Sequence, residues 1–382
     1  MMSKQYSAPP IISSQRRFPD NMVCGHHLLV KAKRGEKVSS NKKTYAVPAF
    51  NVTTFQGINA AFEAFDTLGS SGLLAFSNSA LKHFGRGDAI SGLEIASQYV
   101  EYLAKRTTVK IATHLDHGDY MSDGGRKVVQ GAVQMLTSVM ADNSTLKSSG
   151  TPTSLEENIE FTREVVNMAH PLGISVEGEL GVLAGEEDED TSAEESTYTN
   201  PAELEKFLRE TGVLMLAPTI GTKHGPNKGK PGEKVKLNIR LAHELLKLAN
   251  KINEDIVFVA HGASTLYPEV VKFAADQLSA IGGMKAEISK WKEFVGTDWD
   301  QIQGLIEAGF CKINTDTENR QTYLASLIGA LYQTASKIDI RYYDNITTNA
   351  LTQSYIQKLI MAGNFGVWHE PKIDVNNFTF SL

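Results

Sequence analysis

From residue 44 onward, short apolar runs alternate with amphipathic stretches, and the alternation repeats eight times. The apolar runs are Tyr45–Val52, Gly72–Asn78, Val109–Leu115, Ala132–Met140, Ile174–Leu180, Val213–Ile220, Ile256–His261 and Phe310–Asn314. Most are nearly unbroken Val, Ile, Leu, Ala and Met, the pattern of strands covered on both faces. Stretches of helical period lie between them, at Gly57–Thr67, Gly92–Arg106, Ser154–His170, Pro201–Glu210 and Leu237–Lys251. The helix at 201 has a clean start: Asn200 as N-cap, Pro201 at the first position and Glu203 in the first turn. Eight strand–helix units predict an α/β fold, a (β/α)8 barrel whose functional groups gather at the C-terminal ends of the strands.

At 382 residues, length alone would suggest two domains, but barrels reach this size with insertions. The expected division is an N-terminal extension over 1–43 and one barrel domain over 44–382. The extension is basic and rich in Ser, Pro and His, and reads as disordered or loosely docked, with a transit peptide as the other reading. Two segments exceed a minimal barrel. Ser144–Thr153 reads as a polar loop after strand four, and 268–300 as an insertion with an extra helix or two, broken at Gly282-Gly283. The acidic run Glu186–Asp190 reads as a mobile loop after strand five.

A net charge of −6 and a pI near 6.0 argue against a general nucleic-acid or anionic-membrane surface. Any anionic substrate group must therefore be held locally. Two distant cysteines, Cys24 and Cys311, exclude a disulfide framework and fit a reducing, cytoplasmic compartment. No apolar run approaches the length of a membrane span.

Three histidines stand at or just past the ends of expected strands three, six and seven: His117, His224 and His261, each followed by glycine. Three neutral imidazoles with one open position make a catalytic divalent-metal site, with Zn²⁺ as first candidate. A lone strand-end histidine is ordinarily a satisfied structural residue; three so placed are not.

The motifs A-V-P-A-F-N (46–51), H-L-D-H-G (114–118), E-G-E-L-G…G-E-E-D (177–188), I-G-T-K-H-G-P-N-K-G (220–229), H-G-A-S (261–264) and K-I-N-T-D-T-E (312–318) resemble class II, metal-dependent aldolases of the fructose-bisphosphate and tagatose-bisphosphate type. The resemblance runs from about residue 44 to 344, with 268–300 set aside. It implies a TIM barrel, a zinc cofactor and reversible cleavage of a phosphorylated ketose to dihydroxyacetone phosphate and an aldehyde. It also implies a homodimer or homotetramer, and a monovalent cation, Na⁺ or K⁺, near Gly225 and Ser264. By the same resemblance His117, His224 and His261 are metal ligands, and Glu179 binds or transiently contacts the metal. Asp116 exchanges a proton with the aldehyde-derived oxygen, and Glu187 moves the proton on dihydroxyacetone phosphate. Gly225, Lys228, Gly262, Ser264, Asn314, Asp316 and Thr317 match positions that hold the C1 phosphate or ketose hydroxyls. Asn51 and Ser77 match strand-end groups near the substrate.

The chemistry suits these residue types. Cleavage leaves an enediolate, and neutral histidines leave the cation its full charge to act as a Lewis acid. A carboxylate at 116 can reach a substrate oxygen or, alternatively, support a metal-bound histidine. The acidic run around Glu187, with Glu186 as competitor, would otherwise be a solvated loop; a loop glutamate can also swing in once water is excluded. Glycines after His224 and His261 let backbone N–H groups approach a phosphate, and Lys228 adds a point charge.

Departures from the family pattern raise further expectations. The usual H-G-G-S is H-G-A-S, so Ala263 must fit the loop. Glu318 matches the tagatose-type branch and Asp316 the fructose-type branch. The late Asp-Pro-Arg is absent: Tyr343-Asp344 is followed by Asn345 and Ile346, with Arg341 or Arg320 as substitutes. The expected consequence is a distal half that accepts something other than an ordinary six-carbon bisphosphate. Rival readings are a metal-dependent hydrolase on a TIM barrel, a catalytically inactive aldolase-like scaffold, and a lysine Schiff-base aldolase. Strand one ends without the H-x-H usual in barrel hydrolases.

Overall fold

A computed structural model describes residues 18–38, 43–146, 149–182, 197–223, 228, 235–281, 294–334 and 336–380. Eight strands close into a barrel: β1 (Val47–Asn51), β2 (Gly72–Phe76), β3 (Ile111–Gly118), β4 (Ser138–Ala141), β5 (Ser175–Leu180), β6 (Met215–Pro218), β7 (Val257–Ala260) and β8 (Phe310–Thr315). Every neighbouring pair is parallel, and β8 closes on β1 with Val47 opposite Lys312 and Ala49 opposite Asn314. All eight strands are buried on both faces, in keeping with the apolar residues that dominate most of them. The barrel expectation holds.

The period of two decides what the barrel contains. Ala49 and Asn51 share a face, as do Ala112, His114 and Asp116, Glu177 and Glu179, and Lys312 and Asn314. Near the strands' N-terminal ends the inward positions are small or apolar: Val47, Ala49, Leu73, Ala75, Ala112, Met215 and Val257 form one cluster. Toward the C-terminal ends they turn polar. The charge sits at one mouth because the inward rows change character along their length.

The other mouth is sealed by a segment that the sequence reading left loose. Helix α1 (Gly25–Lys33) lays Leu28, Leu29 and Ala32 against that apolar cluster, all fully buried. The preceding chain adds to the sheet: Met22 bridges Ile111, the N–H of Val23 donates to Ile111 O at 2.9 Å, and that of Ile111 to Asn21 O at 2.8 Å. Lys33 Nζ ties the helix end to Ile256 O at 2.7 Å. Residues 18–38 are thus a packed plug, a correction driven by apolar spacing that basic neighbours obscured.

A second correction concerns Ala132–Met140. Its first part ends the helix α2 (Asp123–Met135), whose N-cap Ser122 accepts from Gly125 N; the strand is only Ser138–Ala141. Val128, Val129, Ala132 and Val133 are the buried stripe of that helix, so two abutting apolar segments read as one run. Within the expected loop Ser144–Thr153, Thr145 and Leu146 pair antiparallel with Pro152 and Thr151. The helix at Pro201–Thr211 starts as expected, Asn200 Oδ1 accepting from Ala202 N at 3.0 Å. Helices cover Pro268–Ile281 and Trp299–Glu307 within and beyond the expected insertion, while Gly282 and Gly283 lie outside the described residues. Helix α3 (Thr317–Thr334) follows β8, and α4 (Ile340–Met361) packs across the outside. No helix among the described residues is long and apolar enough to cross a membrane.

Candidate active site at the barrel mouth

Asp116 and His117 are consecutive, so an undistorted strand would point them to opposite faces. His117 instead has φ +48°, in the left-handed region rarely adopted by residues with a side chain. This turn brings both side chains to the mouth, where ligand atoms of Asp116, His117 and His261 lie within 4.8 Å of one another. His117, Asp142 and Glu179 form a second such group. His224, Gly225 and Glu187 lie outside the described residues.

The partners of the two imidazoles fix which nitrogen carries a proton. His117 Nδ1 is 2.6 Å from Asp142 Oδ2, so the proton belongs on Nδ1 and Nε2 presents a lone pair. His261 Nε2 is 2.8 Å from Glu177 Oε1, so there Nδ1 presents the lone pair. His117 Nε2 and His261 Nδ1 then face one another at 2.8 Å. Two lone pairs at that separation repel, and a cation shared between them removes the repulsion. Carboxylates that hold the far nitrogens of imidazole ligands are a recurrent support of metal sites. The donor set therefore fits a divalent metal, with Glu179 Oε2 a further 3.9 Å from His117 Nδ1.

Glu177 is itself anchored: fully buried, it lies 2.8 Å from Lys312 Nζ and 3.6 Å from His114 Nε2. Burial alone would raise its carboxyl, but the Lys312 ammonium and the neighbouring imidazoles hold it well below the usual range. His114 is pushed down to about 3, first by burial and then by Lys312, and stays neutral beneath the site.

Asp116 is clamped by two amides, Asn51 Nδ2 at 2.8 Å and Asn314 Nδ2 at 2.9 Å. Burial opposes its ionisation, yet His117, Lys312 and His261 outweigh that and hold it at about 2. Asn51 Oδ1 and Asn314 Oδ1 are buried and accept no hydrogen bond among the described residues. Two carbonyl acceptors beside an ionised carboxylate suit the hydroxyls of a polyol.

The β7 loop joins the site to α3. Ser264 Oγ accepts from the N–H groups of Asp316 at 3.1 Å and Thr317 at 3.3 Å. Gly262 carries φ +64°, and a Cβ there would meet Lys223 O at 2.4 Å, so this position requires glycine. Ala263 is fully buried and free of that backbone demand, which explains why H-G-A-S folds. Lys228 Nζ donates to Lys223 O at 3.0 Å and to Gly262 O, tying the loops after β6 and β7 together. Ser77 caps the helix Asn78–Phe84, its Oγ accepting from Ala80 N and pairing with Ser79 Oγ rather than with the Asp116 cluster.

The structure thus assembles Asn51, Asp116, His117, Glu179, His261 and Asn314 in one place, with Gly262, Ser264, Asp316 and Thr317 on its rim. Sequence reasoning missed Asp142, Glu177 and Lys312. The signal was present for two of them: Glu177 precedes Glu179, and Lys312 precedes Asn314, by one strand period, so each shares the inward face of a residue already singled out. Asp142, just past β4, carried no such mark.

A family profile described as Fructose-bisphosphate aldolase class-II matches residues 38–366. A fructose-bisphosphate aldolase of Helicobacter pylori is 32% identical over 344 residues, covering 90% of this chain and 98% of the relative. One from Giardia intestinalis is 33% identical over 329 residues, covering 86% and 91%. The crystal structure of a Campylobacter jejuni fructose-bisphosphate aldolase shares the fold, with TM-score 0.65 at 19% identity over 91% of this chain and 97% of that one.

Proposed function

The chain belongs to the class-II fructose-bisphosphate aldolase family and is an aldolase, a carbon–carbon lyase, and on that premise we propose that it cleaves fructose 1,6-bisphosphate or a related ketose phosphate reversibly to dihydroxyacetone phosphate and an aldehyde, with zinc as cofactor. The observation that carries this reading is the pair of facing imidazole nitrogens beside a doubly clamped carboxylate. His117 and His261 would hold the metal, joined by His224, with Glu179 within reach. When bound, that ion supplies Lewis-acid stabilisation of the negative charge developed on the ketose oxygens during cleavage.

The chain's own groups divide the remaining work. Asp142 and Glu177 hold the two imidazoles in the tautomers that present lone pairs. Asp116, ionised and oriented by Asn51 and Asn314, accepts the proton of the hydroxyl that becomes the aldehyde oxygen, and returns it in the condensation direction. Glu187 moves the proton at the carbon of dihydroxyacetone phosphate. The rim of Gly225, Gly262, Ser264, Asp316 and Thr317 with Lys228 holds the C1 phosphate. A monovalent cation, Na⁺ or K⁺, near Gly225 and Ser264 belongs to the same reading, beside the loops that Lys228 Nζ ties together through Lys223 O and Gly262 O. A homodimer or homotetramer is supported by the exposed apolar side chains Leu331, Tyr332, Ile338 and Ile340 on α3, α4 and the segment between them.

The test is metal analysis of purified protein with a coupled assay for dihydroxyacetone phosphate. One equivalent of zinc and chelator-sensitive release are expected; full activity in metal-free protein would overturn the proposal.

A further inference from the structure

Outside the barrel, where α3 meets α4, a second lysine–carboxylate pair is buried as deeply as Lys312 and Glu177. Lys358 Nζ lies 2.8 Å from Glu318 Oε1, and both side chains are only 1% exposed. The rings of Tyr267 and Trp299 flank the ammonium, their centroids 5.6 Å and 5.5 Å away. A buried ion pair is a poor source of stability, since apolar residues of the same volume do as well or better. This one has a further contact: Glu318 Oε1 also accepts from the N–H of Thr265 at 3.3 Å. Two consecutive residues of α3 therefore grip two consecutive residues of the loop after β7, with Thr317 N–H on Ser264 Oγ and the Glu318 carboxylate on Thr265 N–H. Thr297 holds the same loop by its carbonyls, its N–H donating to Ser264 O at 3.0 Å and its Oγ1 to Gly262 O at 2.8 Å.

We propose that Glu318 and Lys358 are a positioning pair: Lys358 holds the Glu318 carboxylate on the Thr265 amide, and that contact sets the loop Gly262–Thr265 where it receives the substrate phosphate. The inference rests on the aldolase reading above, in which this loop holds the C1 phosphate. Both residues act through Thr265 rather than on substrate. An aspartate at 318, one methylene shorter, falls short of holding the ammonium and the amide together from the same backbone position. His261 is held separately by Glu177 at 2.8 Å. Loosening the loop beyond it should therefore weaken phosphate binding and spare the metal. Glu318, singled out in the sequence only as a branch marker, thereby gains a task, and Lys358 links the packing of α4 to the barrel mouth.

Equilibrium binding of dihydroxyacetone phosphate to the zinc-loaded enzyme reads the loop without turnover. The double variant E318L/K358M removes the pair together and leaves no buried charge uncompensated, so its Tm should stay within about 3 °C of wild type. Its zinc content should be unchanged, while its Kd for dihydroxyacetone phosphate should rise about 10-fold or more. E318Q/K358M keeps an acceptor for the Thr265 N–H and should recover most of that loss. E318D keeps the charge, and so folds even if the apolar pair does not; it should raise Kd about threefold or more with Tm and zinc unchanged. In turnover KM should rise more than kcat falls. Wild-type affinity in E318L/K358M, or in E318D should the apolar pair not fold, overturns the positioning pair and leaves the aldolase reading standing. Equal weakening in E318L/K358M and E318Q/K358M also overturns it, since charge rather than the amide contact would then matter. A loss in E318L/K358M that E318Q/K358M restores, in a protein that cleaves no ketose phosphate, upholds the pair and rejects the reaction.

Discussion

The two mouths of the barrel are built on opposite principles. At the closed end, α1 presses Leu28, Leu29 and Ala32 onto Val47, Leu73 and Ala112, with apolar surfaces that satisfy one another. At the open end, buried residues are charged or polar, His117 holds a strained φ, and the carbonyls of Asn51 and Asn314 lack partners among the described residues. One end concentrates packing energy and the other concentrates unmet electrostatic demand. The contrast teaches that stability and activity should separate in mutants, since the same strands feed both ends but different residues face them.

The strongest challenge to this separation is at the metal-facing nitrogens. His117→Ala or His261→Ala should abolish stoichiometric metal binding and lower kcat/KM by about 10⁴-fold, given several kcal/mol of Lewis-acid stabilisation. Melting of the metal-free protein should fall only modestly, because the loss of the imidazole partner of buried Asp142 or Glu177 is set against relief of the two repelling lone pairs. A large drop in metal-free Tm would mean that the pair is structural.

Next comes Asp116→Asn, which keeps shape but loses the proton acceptor. It should cost about 10³-fold in kcat with zinc content unchanged, measured by the coupled assay beside metal analysis. Glu177→Gln tests the support beneath His261: zinc affinity should weaken by about 10- to 100-fold in competition with a chromogenic chelator. Retained affinity would reduce Glu177 to a partner of Lys312.

Smaller effects are expected at the closed end. Leu29→Ala should lower stability by about 3 kcal/mol in denaturant titration while kcat/KM stays within about twofold. His26, also in α1, is held down at about 4, chiefly by burial, and donates from Nε2 to Asp255 O at 2.7 Å. Because the unfolded chain protonates this histidine below about 6.5, its contribution is complete above that pH and is lost as pH falls toward 4. Up to about 3 kcal/mol is involved, and His26→Gln should flatten the fall of Tm across that window.

How far the sequence could be read depended on whether the signal was local. The barrel followed from eight buried apolar runs, and the facing imidazole pair followed from His117 and His261 at strand ends. Where signals overlapped, local reading failed: Ala132–Met140 merged a helix end with β4, and the basic neighbours of Leu28 and Leu29 hid a plug. Asp142 showed nothing in sequence, because its role exists only through a contact with His117, 25 positions away.

The linear chain, then, settled the architecture and the chemical inventory, since both arise from short-range periodicity and residue type. Tertiary structure alone decided which nitrogen of each imidazole faces the other, which amides clamp Asp116, and which end of the barrel is sealed. Those outcomes depend on distances between strands far apart in sequence, and closure of the barrel is what sets them.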